Sequence, residues 1–181
     1  MTTGADNAQT LPEQALTSAD EQSTPSRLVT ALQRERPDRI TEIVEAHGEL
    51  TVILPRQHIV EVCSYLKHQA DARFDFLADI CGVDRGPEEE PRFEVNYHLF
   101  STTYHHRLRL KVLLNEDDVL VPTVTGVWRT ANWHEREIYD LFGVVFDGHP
   151  DLRRILLPDD WQGHALRKDF PLRGYEPYSL K

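Results

Sequence analysis

Two stretches of strict alternation between apolar and polar residues constrain the fold of this chain more than any other feature. Within residues 93–99 and 108–114, every second position carries a large apolar side chain. Successive side chains of a β-strand point to opposite faces, so each stretch predicts a strand with one buried face. Together the two strands predict a hairpin packed on one side. The eight inward residues are Phe93, Val95, Tyr97, Leu99, Leu108, Leu110, Val112 and Leu114.

The outer face of this hairpin carries a basic stripe. Arg107, Arg109 and Lys111 alternate along one strand, and Glu94 and His98 lie on the other strand. Two interpretations remain open at this point. The stripe is either a surface that steers an acidic partner, or a solvated face on which opposite charges pair across the strands.

The rest of the chain up to residue 100 mixes helical and strand patterns. Apolar residues recur at helical spacing from Ile59 to Leu66, and Cys63 falls on this apolar stripe as a core residue. Residues 84–91, D-R-G-P-E-E-E-P, predict an exposed charged loop. The other predicted elements are a helix over 27–36, a hairpin over 40–54 that turns near His47 and Gly48, a helix over 59–69 and a strand over 73–83.

Length and charge bound the functional class. A chain of 181 residues fits one domain with tails, and its formal charge of −10 argues against nucleic acid as a partner. No apolar run reaches the roughly 18 residues that a membrane-spanning helix needs, so we expect membrane association only through partners. Cys63 and Cys81 are the only cysteines, which excludes a disulfide framework and a cysteine-ligated iron–sulfur cluster and favours a reducing compartment.

These patterns predict an α+β fold with a mixed, mainly antiparallel sheet, helices packed on one face, and an extended carboxy-terminal arm. Residues 1–26 contain four acidic residues, no basic residue and no apolar core, which is typical of a disordered leader. Residues 27–150 form the predicted α+β domain. Residues 151–181, here called the carboxy-terminal arm, form the predicted partner-binding segment.

The stretch W-H-E-R-E-I-Y-D-L-F-G over 133–143 predicts a helix that places charged residues among apolar ones. Asn132 and Glu135 have the spacing of a capping box, and Gly143 supplies a left-handed stop. A helical projection puts Trp133, Ile138, Leu141 and Phe142 on the core side, with His134 and Glu137 between them. The same projection puts Glu135, Arg136 and Asp140 elsewhere, with Arg136 and Asp140 as a surface ion pair.

A metal-dependent hydrolase using His134, Glu137 and His149 is an alternative for this stretch. The zinc motif H-E-x-x-H is incomplete, because Ile138 occupies the position of the second histidine. His105 and His106 are adjacent on a strand and point to opposite faces, so they form a poor metal-ligand pair. A structural function is therefore favoured: His134 and Glu137 satisfy a buried polar network that joins the helix to the basic arm.

The carboxy-terminal arm contains too many prolines and glycines for a long helix or a central strand. Aromatic and arginine residues on an irregular segment are typical of protein interfaces. Folding back on its own core is the alternative, and pairing of Glu137 with Arg153 or Arg154 is compatible with both. The predicted anchors are Arg153, Arg154, Trp161, Arg167, Phe170, Tyr175 and Tyr178.

An ordered series of residues resembles the signature of the 30-kDa subunit family of respiratory complex I, which is the C-type subunit of bacterial NADH-quinone oxidoreductase. The series starts with E-R-E at 135–137 and continues through Asp140, Leu141-Phe142, His149, Arg153 and Ile155-Leu156. It extends over L-L-P-D-D-W-Q-G-H-A-L-R-K-D-F-P-L-R-G-Y-E at 156–176. One departure is Ala165, where the family usually has proline.

The resemblance implies a non-catalytic subunit without catalytic, cofactor-binding or metal-binding residues of its own. FMN, iron–sulfur clusters, NADH and quinone would belong to partner subunits, and this chain would be peripheral at the cytoplasmic face of the bacterial inner membrane. The implied partners are the 49-kDa-type subunit (D), the small cluster-bearing subunit (B) and other peripheral-arm subunits. The same subunit type also serves membrane-bound hydrogenases and other donor:quinone complexes, and this chain alone does not separate these.

The resemblance and the patterns together give two sets of candidate site residues. The family signature and the predicted buried polar network comprise His134, Glu135, Arg136, Glu137, Asp140, His149, Arg153 and Arg154. The predicted partner interface comprises Trp161, Arg167, Lys168, Asp169, Phe170, Arg173 and Tyr175.

Overall fold

The computed structural model describes residues 29–30, 32–34, 37–69 and 72–175. Residues 29–30 and 32–34 are helical, within the predicted helix over 27–36, and the predicted leader lies outside the described residues. Short 3-10 turns occupy Pro37–Arg39 and Arg56–His58. The remaining elements are β1 (Glu42–Ala46), β2 (Glu49–Ile53), α1 (Ile59–His68), β3 (Phe76–Asp84), β4 (Phe93–Phe100), β5 (Arg107–Leu114), β6 (Leu120–Pro122), α2 (Ala131–Phe142) and β7 (Val145–Asp147).

The main sheet has five strands in the order β1-β2-β5-β4-β3. Neighbouring strands are antiparallel except β2 and β5, which are parallel. A separate parallel pair joins β6 to β7. The prediction of an α+β fold with a mixed, mainly antiparallel sheet is therefore confirmed.

The core of the protein lies on one face of the main sheet. All eight apolar residues of the alternating stretches are buried, and the pairing places Tyr97 opposite Leu110 and Val95 opposite Val112. Helix α1 adds Ile59, Val62, Cys63 and Leu66 to the same core, as its helical spacing predicts. The period of the apolar pattern therefore predicted the buried faces of the hairpin and of α1 correctly.

Helix α2 packs against β3 on this same face, which confirms helices on one side of the sheet. Gly82 of β3 allows the close approach, because a Cβ atom there would lie 2.8 Å from the Phe142 ring and 3.1 Å from Ile138. Any larger residue at position 82 would therefore require the Phe142 ring or the helix itself to shift. No helix within the described ranges is long and apolar enough to cross a membrane.

The segment that follows β3 differs from its prediction at one end. Asp84 was predicted to begin an exposed charged loop, but its side chain is buried. The reason is that Asp84 continues the inward alternation of Ile80 and Gly82, which are paired with Tyr97 and Val95 of β4. The composition of the loop alone did not predict that Asp84 is buried.

Candidate functional site

Helix α2 buries a different set of side chains from the set predicted by its apolar projection. Glu135, Arg136 and Asp140, expected at the surface, are buried, and Ile138 is buried as expected. Trp133, expected in the core, is 61% exposed, and Glu137 is exposed. The single-face projection fails because α2 contacts the sheet on one side and the carboxy-terminal arm on another.

The amino-terminal end of α2 lacks the predicted capping box. The helix begins at Ala131, and the capping residue Thr130 makes no side-chain capping bond. The Glu135 carboxylate instead accepts hydrogen bonds from the Thr123 hydroxyl and from the Val124 backbone N–H at 2.8 Å. Glu135 therefore fastens the helix to the loop after β6 rather than to its own first turn.

Glu135 is a buried carboxyl without a cation beside it. No Lys, Arg or His of the described ranges forms an ion pair with it. Burial raises its pKa from 4.5 to about 7, and the two hydrogen bonds from Thr123 and Val124 only partly oppose this shift. The side chains of Cys63 and Tyr97, both buried, are electrostatically coupled to it.

Asp140 lies five residues further along α2 and is equally buried, but it is surrounded by donors. Its Oδ1 atom accepts from Arg154 Nη1 at 2.6 Å. Its Oδ2 atom accepts from the backbone N–H groups of Ile155, Leu156 and Leu157 at 2.8–3.1 Å. Burial alone would raise the pKa of Asp140, but these hydrogen bonds outweigh it and hold the pKa below its ordinary value.

Two arginines complete the attachment of the arm to α2. Arg154 also donates to the Asp140 carbonyl, and its Nη2 atom reaches the carbonyl oxygens of Trp161 and Gly163 at 3.1 and 3.0 Å. Arg136 donates from Nε and Nη2 to the backbone carbonyls of residues 153 and 154. The sequence left open whether Arg153 or Arg154 pairs with the helix. The structure shows that it is Arg154, and that its partner is Asp140 instead of Glu137.

Arg153 and Glu137 do not join this network. The Arg153 side chain is exposed and pairs with Asp151 at 2.9 Å. Glu137 is exposed and forms no ion pair with any residue that the structure describes. The prediction of Glu137 as a buried partner of the arm was wrong, because the helix is rotated so that Asp140 faces the arm.

The arm also caps the carboxy-terminal end of α2. The last carbonyls of a helix lack intrahelical partners. Here the carbonyl of Asp140 accepts from His164 Nδ1, that of Leu141 from the Leu166 N–H at 3.0 Å, and that of Phe142 from Arg167 Nε at 2.7 Å. Gly143 ends the helix at φ 77°, as predicted, and a Cβ atom there would lie 2.5 Å from the His164 ring.

A second attachment point lies on the sheet and was missed in the sequence. Arg92 is almost fully buried and forms a two-bond pair with Asp84, using Nε at 3.0 Å and Nη2 at 2.9 Å. The arm adds Asp169, which accepts from Arg92 Nη2 at 2.6 Å, and the Lys168 backbone N–H, which donates to Asp84 at 2.7 Å. Burial opposes ionisation of Asp84, but Arg92 and the Lys168 and Gly86 amides lower its pKa to about 2.

The remaining predicted histidines are held apart by separate contacts. His134 Nδ1 lies 3.2 Å from an Asp79 carboxylate oxygen of β3. His149 contacts the Asn132 carbonyl and accepts from the Asp151 backbone N–H. In the described parts of the chain no three His, Cys, Asp or Glu side chains are grouped to hold a metal ion. The geometry therefore does not bring His134, Glu137 and His149 together as a hydrolase would require.

The predicted interface residues of the arm divide into two groups. Trp161 and Tyr175 both contact Phe170: the Trp161 and Phe170 rings are stacked 6.1 Å apart, and Tyr175 meets Phe170 edge-on at 5.3 Å. Arg167, in addition to capping α2, lies over the Phe93 ring. By contrast, Lys168 and Arg173 have exposed side chains. Tyr178 lies outside the described residues.

The basic stripe on the outer face of the sheet is largely paired. Lys111 lies 2.8 Å from Glu94, Arg109 pairs with Glu49, and the Arg107 guanidinium lies over the Phe100 ring. These contacts favour the interpretation as a solvated face with cross-strand pairing over a steering surface for an acidic partner.

Comparison with known proteins assigns the chain to a family. The family described as "Respiratory-chain NADH dehydrogenase, 30 Kd subunit" matches residues 52–176. The chain belongs to this family. The C 2 subunit of NADH-quinone oxidoreductase from Rhizobium meliloti (strain 1021) is 51% identical over 153 residues, which cover 78% of this chain and 83% of that protein. The C-type subunit from Roseiflexus sp. (strain RS-1) is 49% identical over 150 residues, covering 81% and 86%.

Two solved structures share the fold of this chain. A trypsin-resistant fragment of Nqo5 superposes with a TM-score of 0.60 and 37% identity, covering 72% of this chain and 100% of the fragment. A chain of the membrane-bound sulfane sulfur reductase, an archaeal respiratory membrane complex, superposes with a TM-score of 0.68 over 83% of this chain and 87% of that chain. At 24% identity, the second likeness concerns the fold alone.

Proposed function

We propose that this chain is a structural and assembly subunit of the peripheral arm of NADH-quinone oxidoreductase, without a cofactor or catalytic site of its own. The complex transfers electrons from NADH through FMN and iron–sulfur clusters to quinone, and other subunits carry these groups. The chain would lie at the cytoplasmic face of the bacterial inner membrane, attached through the complex. Family membership and the relatives named above, which are subunits of this oxidoreductase, support this proposal.

The observation that carries the proposal is a set of large apolar side chains exposed on α2 and the arm. Large exposed apolar and aromatic side chains are the residue types that anchor protein interfaces, and aromatic residues dominate the binding energy there. Hydrogen bonds from the arm to Asp140 and Arg92 hold the arm on the domain, and in this arrangement the apolar side chains are exposed to solvent. They are Trp133, Leu156, Leu166, Leu172 and Tyr175.

The chemistry of the two cysteines supports the placement of redox groups in partners. Cys63 is fully buried in the core, and burial raises the pKa of its thiol. Cys81 is a residue of β3 on the sheet, and its Sγ atom lies 3.7 Å from His98 Nε2. Iron–sulfur clusters need several thiolates at one place, which two separated cysteines do not supply.

We propose the 49-kDa-type subunit and the small cluster-bearing subunit as the partners of the arm. The test is affinity purification of the tagged chain from its native membranes after mild detergent, with mass spectrometry of the recovered subunits. The variant Leu172→Ala/Tyr175→Ala should reduce recovery of both subunits at least several-fold. The control Tyr104→Ala changes an exposed tyrosine on the turn between β4 and β5, far along the chain from the arm, and should recover both subunits normally.

Two outcomes of this purification contradict the proposal. One is normal recovery of both subunits with the arm variant, which would remove the arm from the interface. The other is an equal loss with Tyr104→Ala, which would show a general effect on the fold. Circular dichroism of the isolated variants separates misfolding from loss of contact.

A second candidate is the same structural role in a membrane-bound hydrogenase or another donor:quinone complex. A chain of the sulfane sulfur reductase complex, an archaeal respiratory membrane complex, shares this fold, which is compatible with the second candidate. The same purification discriminates the two candidates. Recovery of NADH- and flavin-binding subunits supports NADH-quinone oxidoreductase, and recovery of hydrogenase subunits without them supports the second candidate.

A further inference from the structure

The carboxy-terminal arm is fastened to the domain at two places that differ in physical character. The inner anchor consists of Arg154 and the backbone of residues 155–157, bound to Asp140. The outer anchor consists of Lys168 and Asp169, bound to the Asp84–Arg92 pair. Between them, residues 164–167 cap the end of α2.

Opening the inner anchor would strand a buried charge. Asp140 is fully buried, and its side chain has Arg154 as its only ion-pair partner among the described residues. Detaching residues 154–157 would remove this cation and three backbone donors together, which leaves a carboxylate in the protein interior without compensation. The inner anchor is therefore expected to open only when the domain unfolds.

Opening the outer anchor would not strand a charge. Arg92 is paired with Asp84 and with Glu116, whose Oε1 atom lies 2.5 Å from Nη1, whereas Asp169 is 3.4 Å from the same nitrogen. When Asp169 leaves, Arg92 keeps two carboxylates, and Asp84 keeps Arg92 and the Gly86 N–H. The Asp169 side chain is 48% exposed, so water and salt compete with its ion pair even in the closed state.

From this asymmetry we propose that residues 168–175 open and close as a unit while residues 153–167 stay fixed to α2. The opening breaks the bonds of Lys168 and Asp169 to the Asp84–Arg92 pair and the partly exposed contact between the Phe170 and Trp161 rings. The moving segment carries Leu172 and Tyr175, two exposed apolar residues of the arm. If the proposed function holds, the part of the arm that meets the partner is the part that moves.

Two backbone amides report on the two anchors with closely matched hydrogen bonds. The Leu157 N–H donates to Asp140 at 2.8 Å, and the Lys168 N–H donates to Asp84 at 2.7 Å. Both acceptors are fully buried carboxylates. The intrinsic exchange rates of the two amides differ because their neighbouring side chains differ, so the quantity to compare is the protection factor, which divides out the intrinsic rate. A difference in protection factor then reflects the opening of the anchor and not the length of the bond.

The experiment is hydrogen exchange of the full-length isolated chain, followed by NMR at these two amides. We expect the protection factor of the Lys168 amide to be at least tenfold lower than that of the Leu157 amide, and 0.5 M NaCl to lower the protection factor of the Lys168 amide only. Asp169→Asn should have the same selective effect as salt. Asp159→Asn, which removes an exposed carboxylate of the same arm, should change neither rate.

Equal protection factors of the two amides would overturn the proposal, because the arm would then be one cooperative unit with the domain. An unchanged Lys168 rate in Asp169→Asn would also overturn it. Both readouts concern the isolated chain, so they remain decisive whichever complex the chain is found to join.

Discussion

Glu135 and Asp140 are two fully buried carboxyl groups on the same helix, and their surroundings shift their pKa values in opposite directions. Glu135 receives two hydrogen bonds and no cation, and burial raises its pKa to about 7. Asp140 receives three backbone amides and Arg154, and its pKa stays below the ordinary value. At neutral pH, Asp140 is ionised, while Glu135 is divided between its neutral and its charged form.

The difference shows that burial alone does not decide the charge of a carboxyl group. Desolvation is the largest influence on the pKa of both residues, and it raises both. The number and charge of the donors determine whether this influence is outweighed. At Asp140 the donors come from the arm, so the charge of this residue and the attachment of the arm depend on each other.

The largest effect is expected for Asp140→Ala. This change leaves Arg154, with its mostly buried guanidinium, and three arm amides without their acceptor, so the free energy of unfolding should fall by about 3–5 kcal/mol. Urea denaturation of the isolated chain measures it. Asp159→Ala, at an exposed position of the arm, is the control and should change stability little; a similar loss in both variants would contradict the role of Asp140.

The next effect concerns Glu135→Gln and depends on pH. Because the folded-state pKa lies above the ordinary value of 4.5, folding favours the protonated form, and stability from this group is lost as pH rises from about 4.5 to about 7. The glutamine side chain does not ionise, so the variant does not lose stability as the pH rises. Glu135→Gln should therefore gain about 3 kcal/mol relative to the wild type at pH 8, and little at pH 4.5.

The stability difference between Glu135→Gln and the wild type should be measured by urea denaturation across pH 4–8. Taking the difference removes the contributions of groups common to both proteins, such as His98 and His164, whose pKa values are lowered chiefly by burial. A difference that does not change with pH would show that Glu135 titrates as an ordinary exposed glutamate.

A smaller effect is expected for Arg154→Lys. The ammonium group can still meet Asp140, but it cannot also reach the carbonyls of Trp161 and Gly163, which the planar guanidinium joins. We expect a loss of about 1–3 kcal/mol in the free energy of unfolding. A lysine variant as stable as the wild type would indicate that the Asp140 contact alone fixes the arm.

The smallest effect is expected for Glu137→Ala, on the exposed side of the same helix. Glu137 has no ion pair with the described residues, so its removal should change the free energy of unfolding by no more than about 0.5 kcal/mol. The same denaturation experiment checks this value. A loss comparable to that of Asp140→Ala would restore Glu137 to the buried network that the sequence first suggested.

Periodicity predicted the elements that bury one face. The alternation from Phe93 to Leu114 predicted β4 and β5 with the correct inward residues, and the spacing from Ile59 to Leu66 predicted α1. The start and the rotation of α2 were not predicted. Its buried residues include Glu135 and Asp140, whose partners are distant in sequence, and an apolar projection has no means of placing a charged residue inside.

The other features that were not predicted from the sequence depend on contacts between distant segments of the chain. The parallel pairing of β2 with β5 and the attachment of Asp169 to Arg92 join segments far apart in the chain. One local signal for the outer anchor existed, since Asp84 shares the inward parity of Ile80. The resemblance of residues 135–176 to the 30-kDa subunit family located the arm and its helix, but the pairing of Arg154 with Asp140 required the structure.

The most direct test of this account is a titration of the side-chain carboxyl carbons of Glu135 and Asp140 by NMR in the isolated chain. We predict that Glu135 titrates with a pKa of about 7 and that the midpoint of Asp140 lies below 3.8. A midpoint for Glu135 at its ordinary value of 4.5, or a midpoint for Asp140 above 3.8, would contradict the opposite effects of the surroundings on the two buried carboxyl groups.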